Sequence, residues 1–232
     1  MTPATWFVKL ILAHLLTDFI LQPRKWVDAR NQKHFASPYL YLHGGVTAAM
    51  AWLLAGADYW LTALVILFSH IIIDGWKSYR PAQVRYFLLD QAFHVLVIAG
   101  CWIMIFYRGN NFEPPLQLIR DFRIPWKIIT AAVFLTAPAG IFIGQLTRQW
   151  RDKISDAESL ANAGKWIGIA ERLIIFVFVL LNQFSAIGLL VAAKGIIRFN
   201  EKERQEIKTE YLVVGTLLSI CLAVMTGLLL RY

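Results

Sequence analysis

The chain has 232 residues, of which 58% are hydrophobic and only 16% are charged. Soluble domains carry about 25% charged residues, so this composition excludes an ordinary soluble protein and indicates a polytopic membrane protein. The formal net charge of +8 then fits basic cytoplasmic loops better than nucleic-acid binding, and we expect no nucleic-acid partner. Cys101 and Cys221 have no CxxC spacing, which indicates neither a disulfide framework nor a thiolate metal site.

Apolar runs recur along the chain at lengths near the roughly 20 residues that a transmembrane helix needs. We predict an all-α, polytopic transmembrane helical bundle of about eight spans, at 4–22, 39–57, 60–77, 86–107, 126–146, 166–182, 184–198 and 211–230. The count is seven if the chain does not turn within the sequence LLNQFS, residues 180–185. Because Lys and Arg collect in cytoplasmic loops, the four basic connections favour eight spans with the N-terminus outside.

This pattern divides the chain into three parts. Residues 1–108 are predicted to form a four-helix bundle, 109–125 an extracytoplasmic connection, and 126–232 a C-terminal half of four spans. The first part has an internal echo, since SHIIIDGWK at 69–77 is similar to AHLLTDFILQ at 13–22. We therefore expect two similar helical hairpins in the first part.

Histidine and aspartate stand four residues apart in spans one, three and four, and span two adds one more histidine. These residues are His14, Asp18, His43, His70, Asp74, Asp90 and His94. Side chains four apart share one face of a helix, and the order is reversed in span four, which runs in the opposite direction to spans one and three. Counting from the cytoplasmic mouth places His14, His70 and His94 about 11 Å deep, and the other four about 6 Å deep.

A carboxylate at the centre of a membrane helix costs about 2.5–3.5 kcal/mol, and the first four spans offer almost no Lys or Arg at that depth. We therefore predict a divalent metal, Zn²⁺ first and Mn²⁺ or Fe²⁺ as alternatives, because imidazole and carboxylate ligands suit these ions. One ion or two remain open, and Asp18, Asp74 or Asp90 would serve as the catalytic base. Helix packing through hydrogen bonds is the alternative for each histidine.

Spans six and seven carry a second charged set, which consists of Glu171, Arg172, Lys194 and Arg198. One interpretation is an ion pair with cations that extend toward the membrane surface. The other is a substrate-binding set, in which the cations hold the anionic head group of a substrate.

Several blocks of the sequence carry a resemblance to a known family. They are LAHLLTDFILQP at 12–23, LHG at 42–44, SHIIID at 69–74, LLDQAFH at 88–94, AAKGIIRF at 192–199 and EYLVVGTLLS at 210–219. Through them the chain resembles a bacterial inner-membrane family of unknown function, DUF3307, which implies a multi-pass protein of the bacterial inner membrane and brings no established activity. The chain is more loosely similar to membrane-bound metal-dependent hydrolases, and its His/Asp set resembles those of the ceramidase and adiponectin-receptor hydrolases.

These observations lead us to expect a membrane-embedded, metal-dependent hydrolase that acts on a lipid-linked or amphipathic substrate from the cytoplasmic leaflet. Two alternatives are a divalent-metal transporter or channel and a non-catalytic partner protein whose bundle is stapled by a metal. The clustering of the ligands in one leaflet argues against transport. The expected partner is a membrane lipid or lipid-linked substrate, and a homo-oligomer is left open.

Overall fold

The computed structural model describes residues 1–107, 124–151, 157–199 and 206–231, and all regular structure in these ranges is helical. The predicted connection at 109–125 lies almost wholly outside them. The α-helices are α1 (Pro3–Phe19), α2 (Arg24–Lys33), α3 (Pro38–Ala55), α4 (Trp60–Ser78), α5 (Val84–Phe106), α6 (Ile124–Leu135), α7 (Ala137–Leu146), α8 (Arg148–Arg151), α9 (Ala157–Leu180), α10 (Phe184–Phe199) and α11 (Glu206–Arg231). Short 3₁₀ turns occupy His34–Ala36 and Ala57–Tyr59.

Four segments in the described ranges are long and apolar enough to cross a bilayer: Ala57–Ser78, Val84–Phe106, Trp126–Leu146 and Tyr211–Arg231. Helix α1 together with Arg24–Ala36 would make a fifth, although the chain bends by 80° between them. The all-α architecture with several membrane-type helices is thus confirmed. The count of eight spans and the outward N-terminus stay predictions.

The chain divides into two compact units, Met1–Thr130 and Ala131–Tyr232. In the first unit α1, α3, α4 and α5 form a ring, since α1 contacts α3, α3 contacts α4, α4 contacts α5, and α5 contacts α1. The four helices therefore enclose one interior, and each presents a single face to it.

One end of this interior is apolar. Its buried residues are Trp6, Leu10, Ala13, Ala51, Ala55, Ile66, Ile98 and Cys101. The Trp6 ring lies 5.3 Å from that of Tyr59 and 5.5 Å from that of Phe106, measured between ring centroids. This packing fixes the helices at one end and leaves the polar side chains of the same faces to meet at the other.

Helix α2 packs at the polar end of the ring, where it contacts α3 and α4. It starts after Pro23, which suits the first turn of a helix because its missing N–H has no intrahelical partner there. The segment after it is held by His34, whose ring stacks on Tyr79 at 3.9 Å and whose Nδ1 lies 2.9 Å from Ser78 Oγ. Arg30, on the last turn of α2, is thereby brought into the bundle, where it is 6% exposed.

The second unit has its own apolar core, formed by Ala131, Leu135, Ile175, Phe176, Val179, Ile187 and Ala223. Helix α9 ends at Leu180 and α10 begins at Phe184, so the chain turns at the predicted LLNQFS. Asn182 adopts a φ of 61°, and the N–H groups of Asn182 and Gln183 donate to the carbonyls of Val179 and Phe178. These two bonds are the Schellman arrangement that closes many helices, and Asn tolerates the left-handed conformation it needs.

Close packing at Gly227 provides a test of the second core. A Cβ added there would lie 2.6 Å from Cγ1 and 2.8 Å from Cβ of Val179, which is fully buried and β-branched. We expect Gly227→Ala to lower the free energy of unfolding by about 1–3 kcal/mol, as overpacking does in other cores. Denaturant unfolding of the full chain in detergent, followed by circular dichroism, measures this change.

Gly215 on the same helix is the matched control, since a Cβ there meets no heavy atom within 4 Å. Gly215→Ala should leave stability unchanged or raise it by up to about 1 kcal/mol through the better helix propensity of alanine. Equal effects at the two positions would contradict the packing described for Val179.

Candidate metal centre

The seven predicted His and Asp residues meet inside the ring of the first unit. Helix α1 contributes His14 and Asp18, α3 His43, α4 His70 and Asp74, and α5 Asp90 and His94. Six of them are at most 3% exposed, and the Asp18 side chain is 8% exposed. The four-residue spacing explains this convergence, because it places both members of each pair on the face that the helix turns inward.

Asp18 lies within ion-pair distance of three histidine nitrogens. Its Oδ1 is 3.4 Å from His14 Nδ1, 3.5 Å from His43 Nε2 and 3.2 Å from His70 Nε2. His70 Nε2 is also 3.0 Å from His43 Nε2, so one of these two nitrogens must donate and the other accept. A proton within this group can therefore lie on any of several nitrogen or oxygen atoms without a large movement of the side chains.

The donor atoms lie close enough together to bind a cation. Three overlapping groups each offer three ligand atoms within 4.8 Å of one another: His14, His70 and His94; Asp18, His43 and His70; and Asp74, Asp90 and His94. Nitrogen and carboxylate oxygen are ligands that Zn²⁺, Mn²⁺ and Fe²⁺ accept.

Two cations that the sequence analysis did not place in the site pair with its carboxylates. Arg30 Nη1 lies 2.6 Å from Asp74 Oδ1, and Lys77 Nζ lies 2.5 Å from Asp90 Oδ2. The expectation that the first four spans hold almost no Lys or Arg at this depth was therefore wrong. It failed for a physical reason: Lys77 extends from the last turn of α4 back along the bundle, and Arg30 enters from α2, which the hydropathy pattern treats as a loop.

Gln91 is a further residue that the sequence analysis did not single out. Its Nε2 donates to Asp90 Oδ2 at 3.0 Å, and its Oε1 lies 3.2 Å from His14 Nε2. The Gln91 side chain thus links Asp90 on α5 to His14 on α1. The available signal was its position directly after Asp90 in the block LLDQAFH, although polarity alone gives it no specific role.

Four buried polar atoms of the seven site residues have no hydrogen-bond partner among the described residues. They are His43 Nδ1, Asp74 Oδ2, Asp90 Oδ1 and His94 Nε2. A buried polar atom without a partner costs about 1–3 kcal/mol, so four in one cluster call for a partner that the described residues do not supply. The residues present fit a bound cation on this ground.

A small pocket adjoins the imidazoles on the side of the apolar core. It is lined by His14, Thr47, Ser69, His70 and His94 together with Leu10, Ala13, Ala51, Ile66, Val97 and Ile98. Its lining combines three imidazoles and two hydroxyls with aliphatic groups, and it has room for about one water molecule.

The charged residues predicted in the second half lie in the second unit. The Arg172 side chain is buried, with Nε donating to the carbonyl of Leu135 at 2.6 Å and Nη2 to that of Thr136 at 3.0 Å. These carbonyls stand at the break between α6 and α7, where helix ends leave acceptors without partners. Lys194 forms an ion pair with Glu171, and the Arg198 side chain lies outside the described residues. Head-group binding by these four residues stays a prediction.

The Arg30–Asp74 pair generates a stability prediction. Arg30→Met should lower the free energy of unfolding by about 3–5 kcal/mol, because it leaves a buried carboxylate without its cation. Arg24→Met, an exposed position on the same helix, should cost less than about 0.5 kcal/mol. Unfolding of the full chain in detergent measures both. An Arg30→Met, Asp74→Asn double variant should recover part of the loss, and no recovery would show that the pair does not interact.

Arg172 yields a second prediction, which separates a structural role from head-group binding. Arg172→Met should lower the free energy of unfolding by about 1–3 kcal/mol, since the helix-end carbonyls lose their donor. Lys165→Met, at an exposed position on the same helix, is the control. Unfolding is again the measurement. An Arg172 variant of unchanged stability that binds anionic lipid vesicles more weakly would contradict the structural role and favour the head-group interpretation.

Comparisons with known proteins connect only the first unit to a family. No significant match to the chain was found among curated proteins or among solved structures. Residues 6–119 match the model of a family described as a protein of unknown function, DUF3307. All seven His and Asp residues of the candidate centre lie within the matched range. The first half of the chain, with its candidate metal centre, is thus similar to this uncharacterised family.

Proposed function

We propose that this protein is a membrane-embedded, metal-dependent hydrolase whose centre is the buried His/Asp cluster of the first unit. The observation that carries the proposal is the convergence of seven potential ligands from four helices, with four buried ligand atoms that have no hydrogen bond among the described residues. A bound divalent ion would lower the pKa of water and polarise the bond to be cleaved. A cluster that served only helix packing would have its polar atoms satisfied within the protein.

The ion pairs distinguish among the three aspartates predicted as the base. Asp74 and Asp90 each engage a cation, whereas Asp18 forms no ion pair with Lys or Arg in the described ranges. Asp18 is instead surrounded by three histidine nitrogens. Asp18 is therefore the carboxylate best placed to accept a proton from water, with the neighbouring imidazoles carrying the proton away.

The substrate class follows from where the centre lies. Two of the four helices around the cluster, α4 and α5, are long and apolar enough to cross a bilayer. A site between such helices favours a substrate that reaches it from the membrane, as a lipid-linked or amphipathic ester, amide or phosphoester would. The small pocket beside the imidazoles has room for about one water molecule, which would be the attacking water. The basic loops of the sequence favour access from the cytoplasmic leaflet.

Hydrolysis can be tested with purified protein in mixed micelles. Three probes cover the proposed bonds: a long-chain p-nitrophenyl ester, a long-chain N-acyl amide and a phospholipid. We expect Zn²⁺- or Mn²⁺-dependent product release from at least one of them, lost on chelation and restored by the metal. Asp18→Asn should lower kcat by about 10²-fold or more with little change in KM, because general acid–base catalysis contributes this much.

The control is Arg24→Met, which changes an exposed charge on α2 and should leave kcat unchanged. Metal-loaded protein that releases no product from any probe would contradict the hydrolase proposal. If the same protein also carried Zn²⁺ or Mn²⁺ across proteoliposome membranes, transport would replace hydrolysis as the function.

A further inference from the structure

We infer that the centre binds one divalent cation, held by Asp74, Asp90 and His94, and that its other four residues form a proton-carrying network rather than a second ligand set. This inference deepens the proposed function and rests on it only for the presence of a metal. Three of the seven residues thus bind the metal and four carry protons, a difference in role that their spacing in the sequence does not reveal.

Asp74, Asp90 and His94 form one of the three groups whose ligand atoms lie within 4.8 Å of one another. Each of these residues also has one buried atom without a hydrogen bond among the described residues: Oδ2, Oδ1 and Nε2, respectively. Asp90 Oδ1 and His94 Nε2 lie 3.7 Å apart. The three residues thus offer two carboxylates and one imidazole, which is a ligand set for a divalent ion of the Mn²⁺, Fe²⁺ or Zn²⁺ type.

Each of the two proposed carboxylate ligands also forms an ion pair with a cation. Arg30 binds Oδ1 of Asp74, and Lys77 binds Oδ2 of Asp90, so each cation takes one oxygen and leaves the other available. Gln91 donates to the same Oδ2 of Asp90 that Lys77 contacts. Groups that bind the far side of a ligand fix its orientation toward the metal. Arg30, Lys77 and Gln91 therefore act as positioning residues for the two carboxylates.

The other two groups are occupied by contacts of their own. His14 Nε2 is 3.2 Å from Gln91, and His70 Nε2 is 3.0 Å from His43 Nε2. In the first group only His94 has an unpartnered buried atom in the described ranges, and in the second only His43 does. A cation bound through Nε2 of His14 or His70 would have to displace these contacts. At Asp74 Oδ2 the nearest histidine nitrogen is His43 Nε2 at 3.6 Å, and at Asp90 Oδ1 it is His94 Nε2 at 3.7 Å, both beyond hydrogen-bond distance.

Charge decides the number of ions. With neutral histidines, three buried carboxylates face two cations among the described residues, Arg30 and Lys77, which leaves one excess negative charge. One divalent ion turns this into a single positive charge, which an anionic ligand or substrate group can neutralise. Two divalent ions would leave three excess positive charges in a buried site, and uncompensated buried charge is costly. The balance therefore favours one ion per chain.

Metal binding by the intact chain in detergent tests the assignment. Mn²⁺ and Zn²⁺ are the probes, with stoichiometry from elemental analysis after dialysis and affinity from calorimetry. We expect one ion per chain. Asp74→Asn, Asp90→Asn and His94→Gln should each weaken Kd by more than about 100-fold, while Asp18→Asn and His43→Gln should weaken it by about tenfold, the low end of the effect of groups that do not bind the metal themselves.

Asp18→Asn and Asp90→Asn form a matched pair, since both remove one buried carboxylate charge from the same cluster. Equal losses of affinity in this pair, or two ions per chain, would overturn the assignment. A measurement on the unsubstituted chain avoids any effect of misfolding: pulsed EPR of bound Mn²⁺ in protein labelled with ¹⁵N-histidine. One coupled imidazole nitrogen is expected, and three would place the ion among His14, His70 and His94 instead.

The outcomes separate this inference from the proposed function. One ion at Asp74, Asp90 and His94 without turnover of any probe keeps the assignment and removes the hydrolase. Metal-dependent turnover with equal losses of affinity in the matched pair keeps the hydrolase and removes the assignment.

Discussion

The structure of the first unit depends on one electrostatic constraint: three carboxylates are buried inside a helical bundle, and the described residues pair two of them with cations. The free energy of such an arrangement is acceptable only if each charge has a partner of opposite sign close by. Arg30 and Lys77 satisfy this condition for Asp74 and Asp90, and three histidine nitrogens surround Asp18. The position of α2, the inward faces of the four helices and the polarity of one end of the bundle all follow from it.

The apolar and polar ends of the ring serve different purposes. Packing of Trp6 and its aromatic neighbours fixes the distances between helices at one end. At the other end, the same helices hold side chains whose hydrogen bonds require distances of about 3 Å. A site built on packed helices is held more precisely than a site on loops. The apolar core therefore helps to keep the polar side chains at fixed distances from one another.

The sequence alone was enough to identify the seven polar residues as one set, because their four-residue spacing and its reversal in α5 depend only on helix geometry and chain direction. It was also enough to locate the turn at Asn182, where an LLNQFS sequence interrupts an apolar run too long for one span. Arg30 could not be found in this way. Its burial depends on the 80° bend after α1 and on the packing of α2 against α3 and α4, which are tertiary properties without a periodic signal. The helix break at Thr136 was not predicted, because mean hydropathy is continuous across Trp126–Leu146. The available signal was Pro138, which lies in the first turn of α7 and cannot continue the hydrogen bonding of a preceding helix.

If the proposed cation binds at Asp74, Asp90 and His94, whose buried atoms lack partners among the described residues, the stability of the fold depends on the supply of metal in the cell. An ion that binds the folded chain and not the unfolded chain adds RT ln(1 + [M]/Kd) to the free energy of unfolding. With such an ion, the folded fraction rises with the free metal concentration, and chain that is synthesised during metal shortage is exposed to proteolysis. The abundance of the protein would then follow metal availability without any dedicated regulator. The cause would be the buried negative charge that no cation among the described residues balances.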